Sequence, residues 1–339
     1  MSESVRIQIN ERSQTAEARR VARGMATAMG FDETRAEQVA IVVTEACTNL
    51  LKHAGSGELL IRSTVADAAA ESNLELLALD KGPGMLNLDQ CLRDGFSTGS
   101  SGGEGLGAIL RLSDVTDFYS EAGQGAAVLA RWSTAKAKTM APRTATELHI
   151  GAVNVSKPGQ EVCGDSWGAE QTEDEATILV ADGLGHGMEA KTASMEAVRI
   201  LHLAPKLSPG ALVERVHQAL RSTRGAAVAV ARVDRARSTV TFSGIGNISA
   251  HIYAGPGSSQ SLVSAYGTAG FQAQRLREFK YAWPENGILV MFSDGLGSHA
   301  GFNAHAGLAL RDPALIAGVL YRDFTRGNDD ATAVVAKAA

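Results

Sequence analysis

Apolar positions fall into two regimes along the chain. From Gln14 to Met29, the residues Ala18, Val21, Ala22, Met25 and Met29 recur at helical spacing, and Gly30 is placed to end that helix. A second helix is predicted from Asp32, a suitable N-cap, through Ala36, Val39, Ala40, Val43, Ala46 and Leu50. Glu58–Val65 and Leu74–Leu79 then read as strands, and the glycine- and serine-rich run from Asp94 to Gly107 turns helical through Leu112. Val115–Tyr119 and Ala126–Trp132 are expected to pair antiparallel about the turn Gly123-Gln-Gly125. Thr134–Arg143 has no apolar period and carries Lys, Pro and Thr, so it is the expected linker. Beyond it short strands dominate, at Leu148–Val155, Thr177–Ala181, Ala226–Val233, Thr239–Ser243, Ser249–Tyr253, Gly287–Phe292 and Ala331–Ala336. Helices are predicted over Met188–Leu203, Pro209–Arg221 and Pro313–Phe324, and there is no tandem repeat. The expectation is an α+β chain of two domains, 1–133 and 144–339, the second a β-sandwich flanked by helices.

Composition narrows the function classes. At 339 residues the chain can bury two cores. The net charge of -5 without a basic block argues against nucleic acid as a partner. No apolar run reaches membrane-spanning length, and Met1-Ser-Glu-Ser-Val-Arg lacks the apolar core of a signal peptide. Cys47, Cys91 and Cys163 are odd in number and spaced neither as a metal site nor as a disulfide framework. A reduced, cytoplasmic protein with no membrane partner is expected.

The chemistry concentrates where apolar strands end in aspartate and glycine. Ile178-Leu-Val-Ala-Asp182-Gly183-Leu-Gly-His186-Gly is one such place, and Ile288-Leu-Val-Met-Phe-Ser-Asp294-Gly-Leu-Gly297 repeats the device. Cys163-Gly-Asp165-Ser-Trp-Gly168 and Gly327-Asn-Asp329-Asp330-Ala-Thr332 are two further forms. Four strand-edge aspartates with glycine beside or near them suit an all-oxygen site for hard divalent metals.

A different constellation occupies the first half. Glu45, Asn49 and His53 stand four residues apart and share a helical face, where a carboxylate and an amide can hold a hydrated magnesium ion and a hydroxyl beside it. Strand Leu74–Leu79 leads into Asp80-Lys-Gly82-Pro-Gly84, where an aspartate can accept from an exocyclic amine and glycines let backbone approach a purine. Phe96 to Gly107, containing Gly105-Leu-Gly107, runs into a helix N-terminus suited to phosphates.

These three motifs, in this order, resemble the GHKL (Bergerat) ATPase and kinase family, closest to the small RsbW- and RsbT-type serine kinases of STAS-domain proteins. The resemblance implies an α/β sandwich that binds ATP, with Asn49 ligating Mg²⁺, Asp80 reading the adenine amine, and Glu45 orienting or deprotonating the substrate hydroxyl. Gly82, Gly84, Gly105 and Gly107 would line the nucleotide. The run from Gly105 to Asp114 looks most like the RsbT branch. No phosphoacceptor-histidine helix is apparent, and His53 is expected to pack or hydrogen-bond under its helix.

The second half resembles the metal-dependent PPM (type 2C) protein phosphatases, in the compact SpoIIE/RsbX branch. That resemblance implies two Mg²⁺ or Mn²⁺ ions sharing a water aimed at a phosphoserine or phosphothreonine. Asp182 would bridge both with help from the Gly183 carbonyl, and Asp165, Asp294 and Asp329 would complete the set. Strand alternation would turn Asp330 to the other face, so Asp329 is preferred. His186 could donate a proton or contact phosphate, or it could cap the helix beginning near Met188, while His299 reads as structural or solvated. The chain departs from larger members in lacking a clear basic phosphate clamp near the domain's start and an identifiable third-metal acid.

A kinase-like and a phosphatase-like half together imply a partner-switching regulator of bacterial stress or sigma-factor signalling. The first half would phosphorylate an anti-anti-sigma or RsbS-like STAS protein and the second would dephosphorylate it or a relative. The alternative is a phosphatase governed by a first half that binds ATP and sequesters a partner without transferring phosphate. A small-molecule phosphatase is a third reading. Domains of the RsbW type can pair, which leaves a homodimer through the first half open.

Overall fold

Helix formation at the N-terminal end is set by small residues and caps. The computed structural model describes residues 3–65, 72–85, 105–134, 147–255, 257–273, 276–302 and 305–338. Its first elements are β1 (Val5–Ile9), α1 (Arg12–Ala28), α2 (Glu33–Asn49), β2 (Gly57–Val65), β3 (Ser72–Leu79), α3 (Gly105–Leu112), β4 (Val115–Ser120) and β5 (Ala126–Ser133). There follow β6 (Leu148–Val155), β7 (Asp165–Gln171), β8 (Glu175–Gly183), α4 (Met188–Leu203), α5 (Pro209–Ala219), β9 (Ala226–Asp234) and β10 (Thr239–Ile245). The last are β11 (Ser249–Gly255), β12 (Ser258–Ser261), β13 (Phe279–Ala282), β14 (Ile288–Phe292), α6 (Pro313–Phe324) and β15 (Ala331–Ala338). Asp32 caps α2 as expected, its Oδ1 accepting from the Arg35 amide at 2.8 Å.

Contacts divide the chain into two units. The first is Met1–Ala141 with His305–Arg322, and the second is Pro142–Ala304 with Asp323–Ala339. A division continuous in sequence, at 133 and 144, thus misses that most of α6 clusters with the first unit. Of the expected linker 134–143, all but Thr134 lies outside the described residues.

In the first unit an antiparallel sheet of order β1-β2-β3-β5-β4 carries α1 and α2 on one face. Ala18, Ala22 and Ala26 of α1 are fully buried, joining Val39, Val43, Leu59, Ile61, Leu74, Leu76 and Trp132 in one core. The other face is also covered, because β3 is apolar on both sides. Gly318 of α6 lies against Leu77 and Leu79, where an added Cβ would stand 3.2 and 3.3 Å from their methyl carbons. Charge fixes the same contact. Glu75 is paired in register with Arg62 on β2 and Arg131 on β5. It accepts from Arg62 at 2.7 Å and from Arg131 at 2.7 Å, and Arg131 also forks onto Asp312 at 3.1 and 3.2 Å. The Asp312 amide donates to Asp117 at 2.6 Å, and the Asp312 carboxylate caps α6 by accepting from Ala314 at 2.8 Å. Buried and half-buried ions here pair with one another, as burial of charge requires.

The second unit packs two antiparallel sheets, of order β13-β10-β9-β8-β7 and β12-β11-β14-β15-β6. Alternation along β8 decides what each residue meets. Ile178 and Val180 join Phe242, Met291 and Val334 between the sheets. Leu179 and Ala181 join Ala193 and Ala197 of α4 and Leu212 and Val216 of α5 outside. The predicted α+β architecture is observed. The four strands that the apolar pattern does not announce, β1, β7, β12 and β13, each end the strand order of a sheet. Among them β12 is wholly exposed and β7 carries glycine and few apolar residues. No helix among the described residues is long and apolar enough to cross a membrane.

Candidate active sites

The alternation that buries Ile178 and Val180 between the sheets carries Asp182 to the same side at the end of β8. Its register partner on β7 is Asp165. Asp165 is 1% exposed, and its Oδ2 accepts from the Ser293 hydroxyl at 2.6 Å. Ser293 Oγ in turn accepts from the Thr332 amide at 3.0 Å, and Asn154 Nδ2 donates to Thr332 Oγ1 at 2.7 Å. Residues of β6 and β15, with Ser293 just after β14, therefore hold one carboxylate in place. Asp294 follows Ser293, and Asn247 Nδ2 donates to its Oδ2 at 2.8 Å.

Electrostatics show what the cluster lacks. Burial raises the pKa of Asp182, and the charges of Asp165, Asp294 and Asp329 raise it further. Burial also pushes Asp165 up, against the hydrogen bond from Ser293. Asp294 is raised by burial and by Asp329, with Arg326 opposing. Three carboxylates held above their ordinary range beside a fourth, Asp329, call for a counter-cation, and an all-oxygen donor set fits a hard divalent one. Among the described residues no group of three His, Cys, Asp or Glu side chains already has the spacing of a finished metal site.

The neighbouring acid behaves differently. Asp330 is buried, with Oδ1 accepting from the Lys157 amide at 2.7 Å and Oδ2 from the Gly164 amide at 2.9 Å. Both its oxygens serve the backbone, whereas Asp329 accepts the local Asp330 amide at 3.0 Å and acts on Asp182 and Asp294. Gly295 is required by packing, since a Cβ there would stand 1.9 Å from the Asp330 carbonyl oxygen. Gly183 is buried at the end of β8, where a Cβ would stand 2.1 Å from the Ala190 carbonyl oxygen. His186 is exposed in the loop before α4 and does not cap it. Gly187 is the N-cap, at φ 75, and no side chain completes the cap. His299 is exposed and lies edge-on to Phe324, ring centroids 5.3 Å apart.

In the first unit α2 carries Glu45 and Asn49 and then widens into a π-helical turn, Leu50–Ala54, closed by Gly55 at φ 80. The wider turn takes His53 out of the helical row that spacing alone implied. It is exposed rather than packed beneath the helix, and partial burial and the charge of Lys52 lower its pKa. The start of α3 lies on Glu45 and Asn49. A Cβ on Gly105 would stand 3.2 Å from both Glu45 Oε2 and Asn49 Oδ1. Among the described residues Asn49 Nδ2 is buried without a hydrogen-bond partner, an orphan that a bound ligand or water shell would satisfy. Gly107 is buried within α3.

Asp80 follows β3, and its Oδ1 accepts from the Gly82 amide at 2.8 Å and the Ala126 amide at 3.1 Å. The close approaches at Gly82 and Gly84 are to protein. Added Cβ atoms would stand 2.8 Å from Ala54 Cα and 2.2 Å from the Glu121 carbonyl oxygen. The glycines thus let Asp80 be clamped between the end of α2 and the β4–β5 hairpin. Most of the glycine-rich loop, through Glu104, lies outside the described residues.

Both parts of the chain match known proteins. Residues 9–132 match the family model of the histidine kinase-like ATPase domain, and residues 172–339 match that of stage II sporulation protein E, SpoIIE. The serine/threonine-protein kinase RsbT of Bacillus subtilis is 33% identical over 116 residues, which are 34% of this chain and 86% of that kinase. The chain belongs to the histidine kinase-like ATPase family and carries a SpoIIE domain after it. The phosphoserine phosphatase RsbX of Bacillus subtilis is 23% identical over 142 residues, 42% of this chain and 71% of that phosphatase. A crystal structure of RsbX in complex with magnesium shares the fold, with a TM-score of 0.51 at 21% identity, covering 57% of this chain and 96% of that one.

The SpoIIE half is therefore a phosphatase domain of the metal-dependent serine/threonine class, and the ATPase half is kinase-like. Asp165 precedes the matched SpoIIE segment, and only the β7–β8 register brings it to Asp182. Asn154, Asn247 and the hydroxyl of Ser293 are supports that sequence reading missed. A polar Asn154 in an otherwise apolar strand end was the available signal for the first.

Proposed function

We propose that this chain sets the phosphorylation state of a protein serine or threonine from both sides. Its SpoIIE half would hydrolyse the phosphoester and its ATPase half would form it, with a STAS-domain protein as substrate. Convergence of Asp165, Asp182, Asp294 and Asp329 supports the hydrolytic role most directly. Two Mg²⁺ or Mn²⁺ ions held by these four residues, with help from the Gly183 carbonyl, would supply a water of lowered pKa and neutralise the phosphate. The protein's own part is to hold the carboxylates. Ser293 and the β6–β15 network fix Asp165, and Asn247 fixes Asp294. Hydrolysis forms a phosphorus–oxygen bond from water and breaks the one to the serine or threonine oxygen, which takes up a proton. His186, exposed beside the cluster's loop, is positioned in sequence to give that proton or to contact phosphate.

For the ATPase half, the unpartnered Asn49 amide and the closeness of Gly105 to Glu45 support a site for Mg-ATP. Asn49 would hold Mg²⁺, Asp80 would accept from the adenine amine, and Glu45 would orient or deprotonate the attacking hydroxyl. The curated relatives are a kinase and a phosphatase, RsbT and RsbX, which favours opposed activities over an ATP-binding module that only sequesters a partner. Adding a phosphate brings about -1.5 to -2 charge at pH 7, enough to make or break a protein interface.

The test is intact-mass analysis of a STAS protein incubated with Mg-ATP and the Asp182→Asn chain, in which hydrolysis is disabled. A single-phosphate shift, lost when Glu45→Ala is added, is expected, and the phosphoprotein should then lose its phosphate to the wild-type chain. A stable ATP-dependent complex with no phosphoprotein would overturn the kinase reading in favour of sequestration.

A further inference from the structure

One buried cation of the first unit reaches the backbone of the Asp80 motif. Arg322, on α6, is 3% exposed, and its Nη1 donates to the carbonyl oxygen of Asp80 at 3.1 Å. A guanidinium in the interior has its hydrogen bonds fixed by its surroundings, and one of them holds the Asp80 carbonyl through a charged donor. Asp80 is held at its amide, its carbonyl and one carboxylate oxygen. Its amide donates to the Ala126 carbonyl at 3.0 Å, and its Oδ1 accepts the Gly82 and Ala126 amides. Its carbonyl is crowded by the hairpin turn, where a Cβ on Gly125 would stand 2.1 Å away. Among the described residues Oδ2 takes no hydrogen bond.

We propose that Arg322 is a positioning residue of the nucleotide site. By fixing the Asp80 carbonyl, it sets where the free Oδ2 points and hence how well the site accepts an exocyclic amine. The inference rests on the reading of Asp80 as the adenine contact. It extends that reading to a helix encoded far downstream, inside the sequence span of the SpoIIE match. Docking of α6 makes this reach precise. The Arg131–Asp312 fork anchors its N-terminal end, Gly318 allows close contact with Leu77 and Leu79, and Tyr321 reaches Glu58 at 3.5 Å. A side chain fixed by packing and ion pairs can hold a hydrogen-bonding group in register where a loop residue could not.

The experiment measures affinity of the full chain for ATP and for GTP with magnesium, by displacement of a fluorescent nucleotide, in wild type, Arg322→Ala, Arg322→Lys and Asp80→Asn. Circular dichroism checks folding. Arg322→Ala is expected to weaken ATP by about tenfold, the loss of one charge-assisted hydrogen bond. It should also narrow the preference for ATP over GTP, with Arg322→Lys restoring part of both. If the alanine variant does not fold, Arg322→Met, which keeps the volume and removes the donor, is read in its place. Unchanged ATP affinity and base preference on removing the donor, while Asp80→Asn loses both, would overturn the role of Arg322 alone. Unchanged binding in Asp80→Asn would instead overturn the adenine reading beneath it.

Discussion

Asp165 and Asp182 face one another across the β7–β8 register, and both bind a proton more tightly than an ordinary aspartate because folding buries them together. The folded chain without metal therefore keeps protons that the unfolded chain releases above about pH 4. Its stability contribution from this pair falls as pH rises above the ordinary carboxylate range. A divalent cation replaces those protons, so Mg²⁺ or Mn²⁺ should raise the melting temperature more at about pH 8 than at about pH 5.5. Thermal scans with and without metal check this. In Asp182→Asn the metal effect should shrink and the metal-free chain should lose much of its pH dependence. A metal-induced rise independent of pH would contradict the assignment.

Ser293 links Asp165 to the amide of Thr332. Replacing it by alanine removes one hydrogen bond from the buried Asp165 carboxyl and one from the Thr332 amide, at a cost of about 1–3 kcal/mol. Metal titration of phosphopeptide hydrolysis should show affinity weakened by about 10–100-fold, as for other groups that orient ligands. Wild-type metal affinity in Ser293→Ala would mean that Asp165 does not depend on this hydroxyl.

Glu45 and Asn49 touch the same glycine but should fail in different ways. Glu45→Gln keeps the shape and should retain ATP while slowing phosphoryl transfer by about 10²–10⁴-fold. Asn49→Ala should lose affinity for Mg-ATP itself. Nucleotide binding and single-turnover transfer, measured on both variants, separate the two. Equal losses of binding would remove the acid–base role from Glu45.

Glu75 stands between Arg62 and Arg131, and although burial opposes its ionisation, the two guanidinium groups hold its pKa below the usual range. Its stabilising contribution is thus present above the unfolded glutamate value of about 4.3 and is lost as pH falls through the lower folded value. Glu75→Gln leaves buried Arg62 uncompensated and Arg131 with Asp312 alone, and should cost about 3–5 kcal/mol in urea unfolding at neutral pH. Acid sensitivity should fall at the same time. A neutral effect would show that water reaches the triad.

Much of the site chemistry was legible because it is carried by local patterns. An apolar run ending in aspartate and glycine marks a buried strand delivering a carboxylate, and this is what β8 and the end of β14 do. The helices Met188–Leu203 and Pro313–Phe324 were predicted with their observed bounds for a similar reason, through clear periodicity and flanking proline or glycine. His53 was misread because a π-helical turn changes the helical phase without any local sequence mark. Gly82 and Gly84 were legible as necessary but not for what, since the atoms they make room for belong to Ala54 and to Glu121. The run Leu74-Glu-Leu-Leu-Ala-Leu79, apolar at every position but Glu75, did carry a signal that both sheet faces are covered. It could not say which helix covers the second face.

The sequence by itself determined the kinds of element, the two families and the residue types of both sites, because periodicity, strand ends and glycine spacing act over a few neighbouring residues. Only the tertiary structure decided that Asp165 faces Asp182 while the Asp330 oxygens go to backbone amides. It alone assigned most of α6, with Arg322, to the unit that carries Asp80. Those outcomes depend on strand register and helix docking between residues far apart in sequence, where charge, volume and burial are settled jointly and no local pattern records the result.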